Sequence, residues 1–220
     1  MKYFKILELT DLHLKQEDVF RCMGYGKDAS PHEETIQRYE TLIKRIPETG
    51  VVTGAFTDVP VTGINETGVD TPTGFIKSER LAKISEGVTD MVFGLITAGV
   101  TFDRMAESFT DMVDAFLWDS IGSALVEEGV TRLLKIIEKE KGRELSLPFS
   151  PGYCDWDLTG QNIIFSAFDP SPLGINVSSD SLVMSPVKSV SFVSCMDISG
   201  SSHNPCRFCN LKSCFMRRKG

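Results

Sequence analysis

The chain has 220 residues and 24.3 kDa, with 41% hydrophobic and 24% charged residues, the balance of a globular protein with a sizeable core. Its 23 Lys and Arg stand against 30 Asp and Glu, a formal net charge of -7, which argues against a nucleic-acid groove as the main function. No window approaches the roughly 18 consecutive apolar residues of a membrane span. The opening "MKYFKILELTDLHLK" has neither the apolar core nor the cleavage site of a signal peptide, so no membrane and a cytoplasmic location are expected.

In chain order, "YFKILEL" predicts a first strand and "KQEDVFRCMGYG" a short helix ended by Gly24 and Gly26. "SPHEETIQRYETLIKRI" predicts an amphipathic helix with Ser30 as N-cap, Pro31 in its first turn and Glu33 completing a capping box. Its apolar face is Ile36, Tyr39, Leu42, Ile43 and Ile46. "VVTGAFTDVPV" reads as a strand or hairpin arm. "TGINETGVDTPTG", rich in Gly and Thr, reads as an exposed loop. A helix capped by Ser78 follows, then a buried strand, "MVFGLITAGV".

The longest helix is expected over 110–141, about 45 Å if unbroken. Gly122 and Gly129 each cost about 1 kcal/mol in a helix interior, which makes sense where something packs close. The C-terminal third changes to turns and short strands, with "LGINVS" and "KSVSFVSCMDI" the clearest. Strands and helices do not alternate cleanly, so the class is α+β, or mixed α/β, with a domain over 1–200 and a cysteine-rich basic tail over 201–220.

Several chemistries are absent. There is no P-loop, and the glycines of "GLITAG" and "TGAFTDVPVTG" lack the dinucleotide-binding spacing. His13, His32 and His203 lie far apart, beside no nucleophile and in no metal-ligand pair. Glu127 sits at the edge of the long helix's apolar face, either reaching water or facing a polar site. "CRFCNLKSC" places Cys206, Cys209 and Cys214 in a C-x2-C-x4-C run, to which Cys195 adds a fourth thiol. Four thiolates suit zinc or an iron–sulfur cluster, and Arg207, Lys212 and Arg217 would favour thiolates; the alternative is a reduced, unliganded tail.

One stretch stands apart. "FSPGYCDWDLTGQ", residues 149–161, sets a Tyr and a Trp directly after a Pro-Gly turn. Both aromatics either fold back onto the core or serve a site. Together with "LITAGVTFDRMAESFTDMVDAFLWDSIGSALVEEGV" before it and "LGINVSSDSLVMSPVKSVSFVS" after it, this stretch resembles the activation domain of vitamin B12-dependent methionine synthase, and more closely the small stand-alone proteins related to it. Three unlike blocks agree in order and spacing, and the likeness spans most of residues 1–200.

The resemblance implies a twisted, largely antiparallel sheet with flanking helices. It implies binding of S-adenosylmethionine and docking over the cobalamin of a partner methyltransferase protein or module. Inactive cob(II)alamin would be reduced by one electron, from a donor such as flavodoxin or ferredoxin, and methylated from S-adenosylmethionine. In the family's R-x-x-x-G-Y motif the loop backbone and the glycine hold the methyl donor and the tyrosine reaches the cobalt face. Gly152 and Tyr153 match its last two positions, Ser150 lies in the same loop, and Glu127 matches a helix carboxylate that contacts the donor.

Two departures matter. Pro148 stands where the motif has its arginine, with Arg143 the nearest substitute, and Val193 and Ser194 stand where the family has a tyrosine. Losing the charged pair implies affinity about ten- to a hundredfold weaker. The runner-up reading is a non-catalytic module that binds a corrinoid protein and carries a structural metal at the tail cysteines.

Overall fold

The computed structural model describes residues 4–26 and 29–198. Its frame is a four-stranded antiparallel sheet of β1 (Lys5–Leu9), β2 (Val52–Pro60), β6 (Asp90–Thr97) and β9 (Ser189–Cys195), lying side by side in that order. Residues 145–149 run beside β9: Leu145 bridges Met196, and Phe149 exchanges backbone hydrogen bonds with Val193 at 2.9 and 2.8 Å.

Because side chains alternate across a sheet, the strands feed two separate cores. One face, with Leu9, Val92, Ile96 and Phe192, packs on the helical layer. The other, with Ala55, Met91, Phe93, Leu95, Val193 and Cys195, packs on the later turns and short elements.

The helical layer is α1 (Gln16–Cys22), α2 (Glu33–Leu42), α4 (Val100–Ala106) and α5 (Met112–Lys141). α5 starts where Asp111 accepts from Val113 N at 2.8 Å and Asp114 N at 3.1 Å, and it stops at Gly142, whose φ is +65°. The close packing expected at its two glycines is present. A Cβ at Gly122 would lie 2.5 Å from Phe102 Cε1, and one at Gly129 would lie 2.9 Å from Ile96 Cγ2.

Three local expectations fail. α2 begins at Glu33 with His32 as N-cap and no side-chain cap, so the Ser30–Glu33 spacing does not form a capping box. Beyond Leu42 the chain tightens into a 3-10 turn that contains Pro47, which has no N–H for an α-helical bond. The segment expected to be an exposed loop holds β3 (Gly63–Asn65) and β4 (Gly68–Thr71), which pair in a meander with β5 (Gly74–Lys77). Asn65 closes its first turn by accepting from Thr67 N, Thr67 Oγ1 and Gly68 N, so the turn-rich composition builds a hairpin.

α3 (Glu79–Ile84) is capped as expected, with Ser78 Oγ accepting from Leu81 N. α6 (Gln161–Phe165), β7 (Asn176–Val177) and β8 (Met184–Ser185) complete the second layer. The sheets are antiparallel, as the α+β reading expects, and among the described residues no helix is long and apolar enough to cross a membrane.

Candidate functional site

Past Phe149 the chain leaves the side of β9 and turns through 150–156. Tyr153 N donates to Ser150 O at 3.2 Å, Gly152 N to Trp156 O at 2.8 Å, and Trp156 N to Tyr153 O at 3.0 Å. Gly152 has φ +85°, so the turn itself demands glycine there, whatever ligand approaches. Cys154 also takes a positive φ, +57°.

The two aromatics separate. Trp156 is 3% exposed and lies parallel to Phe149, centroids 5.7 Å apart and planes 4° apart. Gly160 backs the indole so closely that any side chain there would overlap it. Tyr153 is 51% exposed. The tryptophan anchors the loop and the tyrosine is presented by it.

Asp155 fixes the loop from its other side. Its carboxylate accepts from Ser78 Oγ at 2.8 Å and from Arg80 N at 3.2 Å, joining the loop to the first turn of α3. Asp157 accepts from Thr159 Oγ1 and N at 2.6 and 2.9 Å, and these bonds hold its carboxyl below the usual range. The loop is thus held at both ends, with Tyr153 between.

The structure therefore brings Ser150, Gly152 and Tyr153 together in one turn. Glu127 belongs to the helical layer, in a cleft of about 240 Å³ between α1 and α5 that His13, Cys22 and Thr131 also line. Phe149 and Trp156, the loop's anchors, lie in the core on the opposite face of the sheet. That Glu127 contacts the methyl donor is what the resemblance implies, and in the fold Glu127 lines the cleft between α1 and α5.

Arg143 is not a substitute for the motif arginine either. It donates to Asp197 at 2.9 and 2.6 Å and to Asp90 at 3.5 and 3.4 Å, tying the end of α5 to β6 and to the residue after Met196. Its hydrogen bond with Asp197 raises its pKa further, and Asp197 is held low in return. Pro148 has no side-chain donor. Neither residue offers the loop a free guanidinium in place of the motif arginine.

Cys195 sits at the end of β9 with no exposed surface, its Sγ 3.4 Å from Ser85 Oγ. Burial pushes its thiol up to about 11, so at neutral pH it is a protonated core group. That environment does not suit the fourth thiolate expected of it. Cys206, Cys209 and Cys214, with His203, lie outside the described residues. Among the described residues no group of three or more His, Cys, Asp and Glu is placed to hold a metal ion.

Sequence reasoning missed Asp155 and the cations of α3. Asp155 carries no motif, since only the folded chain puts it against Ser78, 77 residues away. The cations had a legible signal: Arg80 and Lys83 share a helix face three residues apart, just after the strand-end Lys77.

By fold the molecule is an α+β protein whose antiparallel sheet carries a long helix on one face and a layer of short elements on the other. No protein-family model matches the chain. Its structure is similar to that of the MetH reactivation domain bound to AdoHcy, with a TM-score of 0.63 and 13% sequence identity, over 89% of this chain and 78% of that one. At that identity the likeness is one of fold. In sequence the chain is 28% identical over 156 residues to a component of the A-type ATP synthase of Methanoregula boonei, covering 66% of this chain and 70% of that protein. The two names differ, and the structural match, which spans more of the chain, is the one that bears on the sheet and the loop.

Proposed function

We propose that this chain docks on a cobalamin-binding module of a methyltransferase system and serves its reactivation, acting in trans, with the 150–156 loop as the docking element. One observation carries the reading: a fold like that of a reactivation domain holds a rigid loop that presents Tyr153. The reaction served is the one the resemblance implies, in which cob(II)alamin gains one electron and takes a methyl group from S-adenosylmethionine. A phenol held by its backbone turn is suited to hydrogen-bond water at the cobalt face, as donor or acceptor. The loop backbone reaches out at Gly152, whose missing side chain leaves room for a close approach.

Pro148 stands in place of the motif arginine, so no step is assigned to side chains around the methyl donor. That same observation favours a second reading, a module that binds the corrinoid protein without methyl-donor chemistry. In either reading Cys206, Cys209 and Cys214 are proposed to hold a metal: an iron–sulfur cluster if the chain takes part in reduction, zinc if it does not.

Calorimetry separates the readings. The chain is titrated with S-adenosylmethionine, alone and with a cobalamin-loaded module from the same cell. Binding of the module with weak but saturable binding of the methyl donor supports reactivation, and binding of the module alone supports the second reading. No binding of the module overturns both. Iron and zinc analysis of anaerobically prepared, intact chain tests the tail, and a substoichiometric content of both metals removes that part of the proposal.

A further inference from the structure

A second cleft adjoins the loop from the side of α3, with a volume of about 430 Å³. Lys77 at the end of β5, and Arg80 and Lys83 one turn apart on α3, line it together with Thr67. Among the described residues none of these three cations has a carboxylate within ion-pair distance. Two carboxylates also reach the cleft, Glu79 and Asp155. Asp155 is engaged by Ser78 Oγ and Arg80 N, and Ser78 caps Leu81 N, so the end of α3 is already satisfied. Any anion here would be held by side chains and not by the helix end.

We propose that this cleft binds a phosphate-bearing small molecule. Three cations against two carboxylates leave a local excess of positive charge on a chain whose net charge is -7. An arginine fork flanked by two lysines matches the several oxygens and the double charge of a phosphate group better than a single carboxylate. The concave volume falls in the range of small-ligand pockets, about 300–1,000 Å³, and not of flat protein contacts. Asp155 bonds the cleft's helix to the loop that carries Tyr153 and Trp156, so the cleft and the loop are direct neighbours. Phosphate binding at this cleft does not depend on the corrinoid reading.

The test is calorimetric titration of the full chain, at low salt, with pyrophosphate and AMP, and with succinate as a dicarboxylate control. One saturable site is expected for pyrophosphate or AMP, with succinate at least about tenfold weaker. Affinity falls as salt is raised, because exposed charges are screened. The double variant Arg80→Gln/Lys83→Gln is expected to bind at least about tenfold more weakly. Should its melting temperature show that it does not fold, Lys77→Gln, at an exposed strand end, is measured instead, with a loss of about threefold or more expected. Absence of saturable binding by both phosphate compounds, equal binding by the folded variant, or succinate binding as tightly as pyrophosphate would each overturn the proposal.

Discussion

Tyr153 and Trp156, three residues apart in one turn, have opposite surroundings, and substitution should separate them cleanly. Trp156 is buried against Phe149, and removing a buried large aromatic costs about 3–5 kcal/mol. Trp156→Ala should therefore lower the melting temperature steeply and release the loop. Tyr153→Phe removes one hydroxyl from a half-exposed side chain, and should lower the melting temperature far less than Trp156→Ala does. Thermal unfolding of the two variants side by side checks the assignment. Equal losses would mean that both rings are core residues and that the loop presents neither.

α5 supplies a prediction in which two effects compete. Replacing a mid-helix glycine by alanine gains about 1 kcal/mol of helix propensity, against the cost of whatever the new methyl displaces. At Gly122 the methyl would meet the Phe102 ring at 2.5 Å and Lys188 Cγ at 2.8 Å. That ring is stacked on Trp118 at 4.5 Å and cannot retreat easily. At Gly129 the nearest atom is the Ile96 Cγ2 methyl at 2.9 Å, with Val52 Cγ1 next at 3.3 Å. Both changes should be destabilising, Gly122→Ala by about 1–3 kcal/mol and Gly129→Ala by less. Chemical denaturation of both measures the difference, and the reverse order would contradict this packing.

β9 carries a pH dependence. Burial raises the Cys195 thiol from its ordinary 9.0 to about 11, so the folded state holds that proton more tightly than the unfolded chain does. Its stabilising contribution is complete below pH 9 and is lost as pH rises from there through about 11. Melting temperatures between neutral pH and about pH 10.5 should fall less steeply in Cys195→Ala than in the unaltered chain. Parallel curves would mean that the thiol is solvated.

Much of this frame is legible in the sequence. β1, β2, α3, β6, α5 and β9 follow from periodicity, capping and apolar runs, and Gly122 and Gly129 announce close packing without naming the neighbour. The meander is not legible, because Gly, Thr and Asn compose hairpin turns and irregular loops alike, and pairing of β3 with β4 is decided by Asn65 closing the turn. The start of α2 is misleading because Ser30 and Glu33 have capping-box spacing while the chain enters the helix two residues later.

At the scale of the whole molecule the sheet decides what can be one site. Its two faces bury different cores, with Glu127 and α1 in the helical layer and the loop's anchors Phe149 and Trp156 in the other core. Sequence spacing carries no information about which face a loop will reach. In the loop itself the Pro-Gly turn, the buried tryptophan and the half-exposed tyrosine form one unit. Asp155 then links that unit to the cationic cleft of α3, a connection across 77 residues that no local pattern contains.

Service of a cobalamin-binding module by the loop is the central claim, and one measurement meets it directly. The visible spectrum of a cob(II)alamin-loaded module from the same cell is followed under a one-electron reductant and S-adenosylmethionine, with and without the chain. Methylcobalamin is predicted to appear faster when the chain is present, and Tyr153→Phe, folded normally, to lose most of that acceleration. An identical rate with and without the chain, or full acceleration by Tyr153→Phe, would contradict the claim.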